Sequence, residues 1–224
     1  QAMIRRPEML NRRAKPSALL IVMSAVLIVF AVIVLLDSLR GMFMFTVEIK
    51  GSSMLNTFYG GVSAGGDYEG GDIVYALRSF SAERGDVVII DTTASDAYVG
   101  NDGTVFTSGT IIKRLIAVEG DSVKCERGVV YVKEAGGEYA ALDEPYALMD
   151  ESYSFPEVTV GEGQIFFLGD NRLHSQDSQE IVAYGYDLFD CDSIIGVVPE
   201  WAIAIKDFTT GWERFRASLG ALFS

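Results

Sequence analysis

Thr110-Ile-Ile-Lys-Arg-Leu-Ile-Ala-Val118, then Glu119-Gly-Asp121, Ser122-Val-Lys-Cys125, Arg127-Gly128 and Val129-Val-Tyr-Val-Lys133 is the stretch that decides the fold class. Apolar and β-branched residues fill the first segment, a Gly-Asp turn ends it, and two short strands flank Arg127-Gly128 as a hairpin. The same punctuation recurs on both sides. Upstream, Gly85-Asp86 leads into Val87-Val-Ile-Ile90, Asp72 opens a strand to Leu77, and Met42 to Ile49 is rich in β-branched and aromatic residues. Downstream, Gln164 to Leu168 ends at Gly169-Asp170-Asn171, and Ser193 to Val198 and Trp201 to Ile205 read as the last strands. Tyr59 to Gly71, with six glycines, and Thr92 to Gly103 read as loops. Residues 134–163, with Pro145 and Pro156, read as an irregular insertion, and Trp212 to Phe223 as a short amphipathic helix. Many short strands with Gly-Asp turns, no fixed repeat and no long helical period predict a mainly β domain of rolled or barrel-like antiparallel sheets.

One segment breaks that pattern. Ser17 to Leu36, SALLIVMSAVLIVFAVIVLL, holds no charge, Pro or Gly. About 20 such residues are what a helix needs to cross the hydrocarbon core of a bilayer. The run is long for a secretory signal, and it ends at Asp37 without an A-x-A-like site, so it reads as a retained transmembrane helix. Before it, Arg5, Arg6, Arg12, Arg13 and Lys15 face only Glu8, a flank of +4 in a chain of −13, so the remainder carries −17. Basic flanks stay on the cytoplasmic side. The expected organisation is a cytoplasmic tail over 1–16, a span over 17–36 and one extracytoplasmic domain over 37–224. The acidic balance argues against nucleic-acid binding. Cys125 and Cys191 do not have zinc-site spacing, and whether they pair is open from sequence.

Two residues carry candidate chemistry. Lys113 lies in a strand between Ile111-Ile112 and Leu115-Ile116, and alternation puts it on the face of Ile111 and Leu115. An amine aimed at an apolar face is desolvated, which lowers its pKa from about 10.4 and makes it a competent general base. A lone lysine in a strand more commonly snorkels to solvent. Ser53 lies in Gly51-Ser52-Ser53-Met54-Leu55-Asn56-Thr57-Phe58, a turn placed after a strand so that a hydroxyl can be exposed. His174, the one histidine, offers a rival Ser-His-Asp arrangement with Ser53. No phosphate-binding glycine loop, metal set or cofactor is implied.

Taken in order, the motifs resemble bacterial type I signal peptidases, the Ser-Lys membrane proteases. Ser53-Met54-Leu55-Asn56-Thr57 is similar to the family's Ser-Met-x-Pro-Thr. Lys113-Arg114 with Gly120-Asp121 is similar to Lys-Arg-x-x-Gly-x-Pro-Gly-Asp. Gly169-Asp170-Asn171, Ser175, Asp177 and Ser178 match Gly-Asp-Asn-x-x-x-Ser-x-Asp-Ser-Arg. Arg84-Gly85-Asp86-Val87-Val88 and Leu142-Asp143-Glu144-Pro145-Tyr146 resemble two further family segments.

The resemblance implies a membrane-anchored serine endopeptidase that removes signal peptides from exported preproteins beside the translocon. Ser53 is then the nucleophile and Lys113 the base. Ser175 orients the amine, and Asp170, Asp177 and Arg114 form an ion network. The oxyanion hole uses the Ser53 backbone N–H, with Gly51 at a position where some members carry a hydroxyl donor. Val47, Ile49 and Ile112 line small apolar pockets suited to Ala-x-Ala cleavage sites. Departures fall at Asn56 for Pro, Ala117 for Gly, Glu119 for Pro and Gln179 for Arg. Loss of Pro predicts a looser nucleophile turn, and Gln179 cannot form an arginine's paired bonds to Asp177. These motivate the alternative of a weakened or non-catalytic module in pilus assembly or export. A self-cleaving Ser-Lys repressor is disfavoured by the span and the acidic charge.

Overall fold

The protein, represented by a computed structural model, is described over residues 17–78, 81–94 and 109–222. The basic tail over 1–16 lies outside the described residues. The chain divides into two compact units, Gln1–Met42 and Phe43–Ser224. The first contains nearly all of α1 (Ala18–Phe43), none of whose residues is buried. It is long and apolar enough to cross a membrane, and it runs beyond the apolar stretch through an Asp37–Arg40 ion pair of 2.9 Å.

The second unit follows in chain order as β1 (Met44–Glu48), β2 (Val62–Ala64), β3 (Asp67–Glu69), β4 (Ile73–Leu77), β5 (Val87–Asp91) and β6 (Thr110–Val118). Then come β7 (Ser122–Glu126), β8 (Val129–Lys133), β9 (Ala140–Ala141), β10 (Phe155–Thr159) and β11 (Gln164–Leu168). It ends with α2 (Ser178–Ala183), β12 (Phe189–Asp190), β13 (Ile194–Val198), α3 (Glu200–Ala204) and α4 (Lys206–Leu222). Seven strands form one antiparallel sheet in the order β1-β4-β13-β5-β6-β11-β12, and β10-β7-β8-β9 form a second. The mainly β, antiparallel reading therefore holds. The large sheet curls, because β1 and β6, with three strands between them in the order, line one groove.

Local chemistry explains most elements. The β7–β8 hairpin turns on Arg127 and Gly128, both at positive φ (50° and 75°), the pattern of a primed turn that matches strand twist. β6 is buried over Ile112–Ala117 on both faces, as a central strand must be. Between Phe166 and Phe167 the β6–β11 register shifts, leaving Ile116 as an extra residue between the Leu115 and Ala117 pairings. That bulge re-aims the Lys113 end of β6 relative to its Val118 end.

Several expectations change. Trp201 to Ile205 is not a strand: α3 occupies Glu200–Ala204, after Pro199, whose ring suits a helix start and not a ladder. The glycine-rich loop contains the β2–β3 hairpin. Residues 134–163 are not wholly irregular, since β9 and β10 flank the small sheet through pairings to β8 and β7.

Candidate active site

Ser53 sits on the turn after β1. The Ile49 N–H donates to the Asp72 carbonyl at 2.8 Å, and the Gly51 N–H to the Gly60 carbonyl at 3.0 Å. A Cβ on Gly60 would meet the Gly51 oxygen at 1.6 Å, and one on Gly71 the Ile49 oxygen at 1.8 Å. Only glycine lets the 60–71 segment lie this close beneath the turn. Met54 and Phe58 are buried in the core below it, so apolar side chains pin the turn while Ser53 stays half-buried at the groove.

Lys113 faces it from β6, paired in register with Val88. Its side chain is 4% exposed. Nζ donates to Ser53 Oγ at 2.9 Å and to the Ile112 carbonyl at 3.2 Å. Among the described residues no carboxylate forms an ion pair with it. Burial pushes the amine down to about 8, against the opposing pull of Asp177 and Asp170.

Arg114, the next residue, is held differently. Its Nε and Nη2 donate to the two carboxylate oxygens of Asp170 at 2.9 and 2.7 Å, and Nη1 donates to the Gly85 carbonyl at 2.8 Å. The Tyr146 ring stacks on its guanidinium at 3.7 Å. Thr57 Oγ1 donates to Asp170 at 2.5 Å, tying the nucleophile turn to the same carboxylate. Arg84 joins Asp121 and Glu134, both at 2.8 Å. The backbone of the Arg84-Gly85-Asp86 turn pairs with Leu115 of β6 in both directions.

The expected three-residue ion network is thus two separate arrangements. Asp177 is buried and caps α2, accepting from the Gly169 N–H at 3.0 Å and the Gln179 N–H at 3.3 Å. Backbone amides replace the arginine that Gln179 lacks. Burial raises this carboxyl to about 6, opposed chiefly by the Gly169 N–H. Ser175 Oγ is close enough to favour the charged form of Asp177 but is not aligned for a hydrogen bond with any described group, Lys113 included. It does share a crowded spot with the nucleophile's backbone: a Cβ on Gly169 would lie 2.2 Å from Ser175 Oγ and 2.5 Å from the Ser53 carbonyl oxygen.

Asn171 is the contributor that sequence reasoning passed over. Its N–H donates to the Ser53 carbonyl at 2.9 Å and its Nδ2 to the Ser52 carbonyl at 3.0 Å. A peptide N–H points opposite to its own C=O, so gripping the Ser52 oxygen fixes the direction of the Ser53 N–H. That N–H has no acceptor among the described residues. The motif Gly-Asp-Asn was visible in sequence, but nothing local ties it to a turn over a hundred residues upstream. Glu144 is a second such case, in a bidentate pair with Arg172 at 2.6 and 3.0 Å that braces the Gly169 loop.

The turn after Ser53 is not the one that proline would fix. Asn56 adopts φ 91°, which proline cannot reach, and its Nδ2 donates to the Tyr146 carbonyl at 3.3 Å. Asn in the left-handed region substitutes a different turn for the proline one. A groove of about 710 Å³ runs past Ser53 and Lys113, walled by Phe45, Val47, Ile111, Ile112 and Ile195. Val47 and Ile112 line this groove. Ile49 does not: it is 1% exposed, packed in the core under the turn. His174 is exposed on a turn, and the hydroxyl of Ser53 takes its bond from Lys113 instead. Cys125 and Cys191 are unpaired, one buried and one exposed.

A family model described as "Signal peptidase, peptidase S26" matches residues 21–203. The "Probable signal peptidase I-1" of Synechocystis sp. is 42% identical over 67 residues, 30% of this chain and 32% of its own. Signal peptidase I of Bacillus amyloliquefaciens is 29% identical over 140 residues, 58% of this chain and 61% of its own. Signal peptidase I U of Bacillus subtilis is 32% identical over 117 residues, 50% of this chain and 54% of its own. The chain spans less than two thirds of the length of each of these relatives.

Proposed function

Since the chain belongs to the signal peptidase family, peptidase S26, we propose that it is a membrane-anchored serine endopeptidase that removes N-terminal signal peptides from exported preproteins. The observation that carries the reading is the 2.9 Å contact between a half-buried serine hydroxyl and a buried lysine amine with no ion-pair partner among the described residues, both lining one groove. α1 is the anchor, the 1–16 tail is cytoplasmic, and the Phe43–Ser224 unit works on the outer side, close to the translocon.

The chemistry proceeds as follows. With the amine neutral, the Ser53–Lys113 bond reverses, and Oγ–H donates to Nζ. Oγ attacks the scissile carbonyl carbon while Nζ takes the proton. The Ser53 N–H, aimed by Asn171, stabilises the oxyanion. As the C–N bond breaks, the Lys113 ammonium protonates the leaving amine. Neutral Nζ then deprotonates a water that attacks the acyl ester; as the C–Oγ bond breaks, the Lys113 ammonium returns that proton to Ser53 Oγ, restoring the dyad, and the released acid ionises to the new carboxylate. Ser175, an unpartnered buried hydroxyl at the same spot, steadies this exchange.

An extended preprotein segment suits the groove, because β1 is the edge strand of its sheet among the described residues. Walls from Val47 and Ile112 favour small residues before the scissile bond. The test is incubation of purified protein with a preprotein in detergent beside an active control enzyme. Cleavage after a small residue, abolished by Ser53→Ala and by Lys113→Met, is the expected result. Full activity of Lys113→Met with loss in His174→Ala would overturn the dyad. Absence of product from the unaltered protein would favour the non-catalytic export module.

A further inference from the structure

α3 and α4 carry an apolar stripe that the described residues leave exposed. Trp201, Ile205, Phe208, Trp212, Phe215 and Leu219 are 38–71% exposed. The helical path runs on between the two helices, since the Ile205 N–H donates to the Trp201 carbonyl and the Thr209 N–H to the Ile205 carbonyl. At 100° per residue, positions 208, 212, 215 and 219 fall within about 60° of arc. The opposite side of α4 is docked. Thr209 and Thr210 are buried, Thr210 Oγ1 accepts from the Ile73 N–H at 2.7 Å, and Arg214 donates to the Gly71 carbonyl at 2.8 Å. Tyr75 donates to Glu213 at 3.2 Å. Helix orientation is therefore fixed by β4, and the stripe is presented outward by construction.

We propose that this stripe is a second membrane contact, lying in the headgroup–acyl boundary of the bilayer that α1 crosses. It rests on the reading of α1 as an anchor. Both tryptophans of the chain are on it, and tryptophan with phenylalanine is the composition that interfaces select. α4 holds three basic residues against two acidic ones in a chain of −13, so its own charge does not oppose anionic headgroups. Connectivity supplies the reach. β4, on which α4 lies, pairs with β1, and β1 begins at Met44, directly after the last residue of α1. So short a tether gives a high effective concentration of lipid at this unit.

Tryptophan emission reads this contact directly, because α1 contains no tryptophan. The full chain is reconstituted in phosphatidylcholine–phosphatidylglycerol vesicles with or without lipid brominated on its acyl chains. The expected result is blue-shifted emission quenched about twofold or more by bromine. Phe208→Glu with Phe215→Glu should cut the quenching several-fold while the protein still floats with vesicles and cleaves a short soluble peptide within twofold of the parent rate. Phe208→Ala with Phe215→Ala, which preserves helix propensity, should give an intermediate loss. Emission unquenched in the parent chain would overturn the proposal, as would quenching unchanged by either pair. Protection that instead follows protein-to-lipid ratio, with cross-links between copies, would assign the stripe to self-association. Failure of the parent chain to float would overturn the anchor together with this contact.

Discussion

Lys113 and Arg114 are neighbours on one strand, both basic and both buried, and the fold treats their two sides of β6 in opposite ways. On the Arg114 side a carboxylate, a carbonyl and an aromatic ring compensate the charge. On the Lys113 side there is a hydroxyl and a carbonyl, and the nearest carboxylates act only at a distance. A compensated buried cation holds pieces together, whereas an uncompensated one is pushed toward its neutral form. The structure thus separates the scaffold role from the chemical role by one residue. Exchanging or removing parts of either side is the way to test that separation.

The largest effect is expected at Lys113→Met. Turnover should fall about 10³-fold or more with loss of the general base, and stability near neutral pH should rise. The amine's folded pKa of about 8 lies below its unfolded 10.5. The unfolded chain therefore binds more protons between those values, so the stability of the parent rises with pH across that window. Below pH 8 burial of the amine costs roughly 3 kcal/mol at most, and methionine removes that cost. Urea denaturation at pH 6 and pH 10 should show a gain from the substitution that shrinks at the higher pH. A gain of equal size at both would mean that the amine is charged in the fold.

Arg114→Met should do the reverse. It leaves Asp170 buried without its partner, which destabilises by about 3–5 kcal/mol. Activity should follow the loss of fold, with the pH midpoint of whatever turnover remains still set by Lys113. The third expected effect is at Asn171→Ala. Removing the bond to the Ser52 carbonyl frees the peptide plane that carries the Ser53 N–H, and kcat should drop about 10- to 100-fold with KM little changed. A matching rise in KM would instead place Asn171 in substrate binding.

The asymmetry between 113 and 114 was largely legible in the sequence. A Lys-Arg pair inside an apolar strand must resolve its two charges somehow, and the Gly-Asp-Asn segment supplied one carboxylate for two cations. The short strands were legible as well, because Gly-Asp turns mark their ends. What escaped reading is non-local. The clamp of Asn171 on Ser52 and the brace of Glu144 on Arg172 join residues far apart in the chain, with no periodicity to announce them. β9 and β10 are strands only by virtue of β8 and β7, β9 being two alanines and β10 carrying Pro156. α3 defeated the pattern because Trp201 to Ile205 is short and apolar, a run for which helix and strand periods do not differ. Asn56 defeated it through φ: the departure from proline looked like lost rigidity, when it is a different turn with its own tether to Tyr146.

The finest way to sharpen the comparison is Asp177→Asn, the smallest of the four effects. Asp177 touches neither Ser53 nor Lys113 in hydrogen-bonding contact, yet it is the carboxylate that most strongly raises the lysine. Its own pKa is about 6, so it is ionised at the pH where the amine titrates. Asparagine keeps the shape and the helix cap while deleting that charge. The Lys113 pKa should then fall below about 8, and the rise of kcat/KM with pH should move to lower pH, within about one unit. Stability should respond with the opposite pH sense to that of the lysine. A carboxyl whose folded pKa of about 6 exceeds its unfolded 3.8 contributes most below 3.8, and that contribution is lost as pH rises through 6. Asparagine should therefore stabilise the fold at pH 7 and not at pH 4. A profile that stayed in place, with activity lowered uniformly, would show that Asp177 acts only through the position of α2 and the Gly169 loop, and not through its field at the amine.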